Sequence, residues 1–207
     1  MFRNSFYGFG ECFKPPSAPK PAAGSAGQIR CVEVTNVKIT RSGGRLVVSS
    51  FTVGNEMGAD KRQKFINRFI NPMRKSGLAQ SVMQALNAGR HPIQIAWDNG
   101  RFGFNGTIAW NRKDAVGGQG SASVIFLDED APDWSRLTTI KENPDVGLFH
   151  EFLHALQIQS GMAIDNERES ENRVIGIGNY SSCKFTENAY RNDRTLPFRC
   201  CWDREQN

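Results

Sequence analysis

The sequence predicts an α+β fold in one domain, a mixed or antiparallel sheet packed on helices. Short runs of β-branched and aromatic residues recur between Ile29 and Leu127, each bounded by turn residues. Two stretches of helical periodicity lie between those runs, and a long apolar helix with a start signal follows them. About 180 residues beyond the N-terminal segment suffice to bury a substantial core, so no metal is needed merely to fold the chain.

Residues 1–28 precede the domain. Met1 to Ala26 carry proline, serine, glycine, alanine and lysine, as in the run from Phe13 to Pro21. Such composition buries too little apolar surface to offset ordering entropy, so a disordered segment is expected. No apolar run follows the start, so a cleaved export signal is not expected, nor is a membrane helix. Phe2, Phe6, Tyr7, Phe9 and Phe13 offer the segment a way to pack on the body or bind a chaperone.

The domain spans 29–207. Val32, Val34, Val37 and Ile39 read as a strand, Gly43-Gly44 as a hairpin turn, and Leu46, Val47, Val48, Phe51 and Val53 as its partner. Lys61 to Arg74 sets Phe65, Ile66, Phe69 and Ile70 opposite basic residues, an amphipathic helix with a solvated basic face. Nothing beside it stacks bases, so nucleic acid is not expected. Gly77 to Asn87 reads as a second helix, and Ile93 to Trp97, Phe102 to Phe104, Thr107 to Trp110 and Ser121 to Leu127 as strands. Asn99-Gly100 marks a turn, and Val116 to Gly120 a loop without a phosphate-binding glycine pattern. Asn143-Pro144-Asp145 starts a helix whose apolar positions are Val146, Phe149, Leu153, Leu156 and Ile158, and Gly161 caps it.

That last helix carries His150-Glu151-Phe152-Leu153-His154, two of the chain's three histidines. Four residues is just over one turn, so both imidazoles leave the same face and can hold one zinc ion. Glu151 is placed to act as a base on water at such a site. With histidine this scarce, a chance match is expected roughly 0.002 times in such a chain. The site needs a third protein ligand. His91 precedes Pro92 at a strand edge, and no histidine follows His154, so a carboxylate is expected. Asp165, Glu167, Glu169, Glu171 and Glu187 are the candidates. Glu171 is favoured because it heads a segment that turns apolar, Glu171 to Ile177, as a second helix entering the core. Glu167 and Glu169 stand in a charged run that reads as solvated surface. Tyr180, Tyr190 and Arg191 follow as candidate oxyanion donors or substrate contacts, though a Glu187–Arg191 ion pair four apart equally holds the tail.

The C-terminal sixty residues or so show a resemblance. The zinc motif is followed by Glu171-x-x-x-x-Gly176, then Thr186-Glu187-Asn188-x-x-Arg191 and Leu196-Pro197-x-Arg199. This order resembles the NleD-like zinc metallopeptidases, effectors that Gram-negative pathogens inject into host cells by type III secretion. The chain departs from that pattern at Thr195, where glycine is usual, and at Trp202, where tyrosine is usual. The resemblance implies a zincin-like fold, one zinc per chain held by His150, His154 and Glu171, and Glu151 as catalytic base. It also implies residues 1–28 as a secretion signal, delivery to the host cytoplasm, and an intracellular host protein as substrate, with mitogen-activated protein kinases a candidate class. A secretion chaperone is the other expected partner, and the chain is expected to be a monomer. A metallopeptidase that is never exported and a non-catalytic zinc or partner-binding module remain as alternatives.

The net charge of +5 is mild and adds only a general affinity for acidic surfaces. Five cysteines, with Cys200-Cys201 adjacent, match neither a disulfide framework nor a zinc finger, so reduced thiols are expected.

Overall fold

The structure, a computed structural model, describes residues 29–42, 45–135, 137–201 and 204–205. Segment 1–28 with its expected disorder and secretion signal, the Gly43-Gly44 turn and Trp202 lie outside the described residues.

The fold is α+β around a mixed sheet. Strand β1 (Ile29–Ser42) pairs antiparallel with β2 (Arg45–Glu56), as the hairpin pattern predicts. A helical run follows: α1 (Ala59–Phe65), a π-helical turn (Ile66–Ile70) and α2 (Asn71–Met73). Phe65, Phe69 and Met73, spaced four apart, are its buried residues. Ser76 caps α3 (Gly77–Ala88) by accepting from the Ala79 amide. Next come β3 (Ile93–Trp97), β4 (Gly106–Ala109), α4 (Arg112–Val116) and β5 (Ser123–Leu127). Two short helices, α5 (Pro132–Ser135) and α6 (Thr138–Glu142), lead into α7 (Pro144–Gln159). The chain closes with α8 (Glu167–Ile175), a 3-10 turn (Gly178–Tyr180), α9 (Glu187–Asp193), β6 (Arg199–Cys201) and β7 (Arg204–Glu205).

The five-stranded order is β2-β1-β3-β5-β4, with β1, β3 and β5 parallel and β2 and β4 antiparallel at the edges. Period-two alternation divides the core in two. Ile93, Ile95, Ile125 and Leu127 face a large cluster with residues of α1, α3 and α7. Val32, Val34, Ala96, Val124 and Phe126 face a smaller one, with Phe102. Every residue of α7 except His154 is buried, so the motif helix runs through the middle of the protein, which explains an apolar pattern on nearly all sides.

Three local readings are corrected. Phe102 to Phe104 is a bend, not a strand: the fully buried Asp128 carboxylate accepts from the amides of Gly100, Phe102 and Gly103 and folds the segment around itself. Residues 112–116, up to Val116, form α4, capped by Asn111, ahead of the expected glycine loop. Cys183 is disulfide-bonded, against the expectation of reduced thiols: an odd total forbids complete pairing but not one pair. Cys31 remains a thiol whose pKa burial pushes up to about 11.

Candidate metal centre

Helix α7 begins where Pro144 fits the first turn and ends at Ser160, after which Gly161 takes φ +74°. His150 and Glu151 are 7% and 5% exposed, whereas the side chains of His154 and Glu171 are each 15% exposed, so these two form the solvent side of the group. Glu171 does not head its helix as the sequence suggests. It sits in the second turn of α8, which starts four residues earlier at Glu167 behind an Asn166 cap. From there its carboxylate reaches both imidazoles, Oε2 lying 3.2 Å from His150 Nε2 and Oε1 3.0 Å from His154 Nε2. The two Nε2 atoms are 3.1 Å apart.

These separations suit a metal. Tetrahedral zinc with bonds of 2.0–2.2 Å spaces its ligand atoms by about 3.3–3.6 Å, within a few tenths of an ångström of these separations. The three residues are the one such group among the described residues, their ligand atoms lying within 4.8 Å of one another. Each imidazole also turns its second nitrogen to a partner, as metal-bound histidines do. His150 Nδ1 lies 2.7 Å from Glu187 Oε2, and His154 Nδ1 lies 3.4 Å from Ser170 Oγ. The donor set and its supports therefore fit a divalent cation.

The electrostatics of these side chains agree. Burial works against a charged His150, yet Glu171 and Glu187 on either side raise its pKa to about 10. Burial likewise opposes the Glu171 charge, but His150 and His154 hold that carboxyl well below its usual range. A cation at Nε2 takes the place of such a proton, so metal binding here releases protons. Burial raises the Glu151 carboxyl, opposed by the two histidines and by the Thr107 hydroxyl.

Glu187 was a candidate third ligand, but it belongs behind the site. Fully buried, it takes the His150 Nδ1 contact, accepts from Arg191 Nε at 2.6 Å and accepts from Arg199 Nη1 at 2.9 Å. Burial would raise its carboxyl, but Arg199, His150 and Arg191 hold it far below its usual range. The rest of the C-terminal pattern locks around it. Thr186 caps α9 through the Ala189 amide, and Asn188 exchanges two hydrogen bonds with the Arg199 backbone. Arg191 Nη1 donates to the Pro197 carbonyl. Gly176 ends α8 at φ +84°, and a Cβ there would lie 2.6 Å from Thr186. The Glu-x-x-x-x-Gly, Thr-Glu-Asn-x-x-Arg and Leu-Pro-x-Arg segments thus interlock around Glu187, which stands behind His150.

The other candidates stand elsewhere. Asp165 is exposed and pairs with Arg112. His91 is a loop residue whose Nε2 lies 3.2 Å from the Gln119 carbonyl oxygen. Glu169 accepts from the Tyr180 hydroxyl at 2.8 Å. The Tyr190 hydroxyl donates to Asp145 at 2.6 Å at the start of α7, and its ring stacks on Phe149. Tyr190 and Arg191 therefore spend their polar groups on holding α9 and the tail. Sequence reasoning missed three supports: Ser170 beside His154, Arg199 on Glu187, and Thr107, whose hydroxyl lies 2.8 Å from Glu151 Oε2. Arg199 had a signal in the Leu-Pro-x-Arg pattern. Thr107, forty-four residues before Glu151, had none.

Comparison with protein-family models, with curated proteins and with solved structures finds no match.

Proposed function

We propose that the protein is a zinc-dependent endopeptidase of zincin-like fold, with His150, His154 and Glu171 as metal ligands and Glu151 as general base. The observation that carries this reading is the convergence of two Nε2 atoms and a carboxylate within 3.0–3.2 Å, with a buried carboxylate next in sequence to the first ligand. Two histidines and one carboxylate leave a fourth position open and favour zinc among the common divalent ions. When bound, zinc supplies a Lewis acid and lowers the pKa of water from about 15.7 toward about 7.

The residues supply the rest. Glu151 accepts a proton from the attacking water and passes it to the departing amine, serving first as general base and then as general acid. Glu187, held by two arginines, keeps His150 oriented, and Ser170 supports His154. A site kept only for structure has no use for a buried carboxylate at Glu151, which favours catalysis over a partner-binding module.

The resemblance to NleD-like effectors supports a narrower reading. The chain is then injected by a type III system, with residues 1–28 as its signal, and cleaves an intracellular host protein, mitogen-activated protein kinases being the candidate class. Its support is that the three segments carrying the resemblance meet around Glu187 and His150. Incubating the purified chain with host-cell lysate and mapping new peptide termini tests it. Termini that appear with wild type and not with Glu151→Gln are expected. Identical peptide maps would remove the peptidase assignment.

A further inference from the structure

Glu151 is fastened to the sheet as well as to its helix. Thr107 Oγ1 lies 2.8 Å from Glu151 Oε2 and 3.1 Å from the Glu151 backbone carbonyl oxygen. Thr107 stands on β4, in register with Ile125 of β5, and every residue of β5 is buried. The hydroxyl is therefore set by the sheet and the carboxylate by α7.

We propose that Thr107 is the positioning residue of Glu151, holding Oε2 so that Oε1 is the oxygen that exchanges protons. The inference rests on the reading of Glu151 as general base. A threonine hydroxyl has one proton to donate, and the shorter, charge-assisted bond to the carboxylate takes it. Once Glu151 is protonated on Oε1, Oε2 remains an acceptor, so the bond to Thr107 persists in both protonation states. The carboxylate then does not need to reorient between taking a proton and giving it up. At 5% exposure, Glu151 has little water with which to replace a lost partner. The branched Cβ of threonine restricts χ1, which makes the contact stiffer than serine would.

The test compares Thr107→Val, which keeps the shape and removes the hydroxyl, with Thr107→Ser, which keeps the hydroxyl. The full zinc-loaded chain is assayed on unfolded, carboxymethylated casein, with zinc content measured on the same samples. Losing a hydrogen bond to a charged group is expected to lower kcat about 10- to 100-fold in Thr107→Val, with KM and zinc per chain within about twofold of wild type. Thr107→Ser should recover most of kcat. Should Thr107→Val fail to fold, Thr107→Ala replaces it with the same expectation. Near-wild-type kcat in the hydroxyl-free variant, beside an inactive Glu151→Gln, would overturn the role of Thr107 and leave the base in place. A wild type that hydrolyses no casein is settled by crystal structures of wild type and Thr107→Val. An unmoved Glu151 carboxylate in the variant overturns the proposal, and a reoriented one upholds the positioning contact.

Discussion

Glu187→Gln exchanges one oxygen for an NH2 group and removes a charge that three groups share. The wild-type carboxylate meets Arg191 Nε at 2.6 Å, Arg199 Nη1 at 2.9 Å and His150 Nδ1 at 2.7 Å, all without exposure at Glu187. In the variant two guanidinium groups face no carboxylate there, and the new amide NH2 must point at another donor. Removing one member of a buried ion pair costs about 3–5 kcal/mol. At about 2–4 °C per kcal/mol for a domain of this size, the melting temperature should fall by about 10 °C. Where the NH2 takes the Oε2 place, His150 also loses the acceptor that orients its ring, which is expected to weaken zinc binding about 10- to 100-fold. Urea unfolding and competitive zinc titration measure the two effects. The acid dependence has a definite sign. The folded-state pKa of Glu187 is lowered, so its contribution to stability is present above about pH 4.3 and is lost as pH falls toward the folded value. Glu187→Gln should flatten that loss. Stability within about 1 kcal/mol of wild type, with unchanged zinc affinity, would refute the reasoning.

Tyr190→Phe removes the hydrogen bond to Asp145 and should cost about 1–2 kcal/mol in thermal unfolding while sparing zinc content and cleavage, which separates this tyrosine from catalysis. Thr195→Gly should raise stability by about 1 kcal/mol in denaturant titration, because Thr195 holds φ +55°, where a β-branched residue is strained and glycine is not. Glu171→Gln should weaken zinc binding and abolish cleavage, whereas Glu167→Gln and Glu169→Gln should leave zinc titrations unchanged.

Much of this site was legible because its signals are local. A four-residue histidine spacing needs only the helix, and Pro144 and Gly161 mark where that helix begins and ends. Glu171 was legible for a different reason than its position: it lies mid-helix rather than at a helix start, and the polar-to-apolar transition that drew attention to it marks where α8 turns inward at Arg173. The glycine usual in the resembled pattern where Thr195 stands would suit the left-handed backbone that Thr195 adopts. What depends on distant parts of the chain left no pattern. Thr107 meets Glu151 only because β4 lies beside β5 and packs on α7. The bend at Phe102 looked like a strand because aromatic residues favour strands, while the deciding contact comes from Asp128, twenty-six residues away. Glu187 and Arg191 read correctly as an ion pair, but the pair's use, holding His150 together with Arg199, is a tertiary fact.

The zinc content of the purified full chain, measured by elemental analysis after dialysis against metal-free buffer, tests the central claim most directly. One zinc per chain is expected for wild type and none for His150→Ala/His154→Ala, with the double variant still folded by circular dichroism. Zinc undiminished in the double variant, or absent from a folded wild type titrated with excess zinc, would contradict the account.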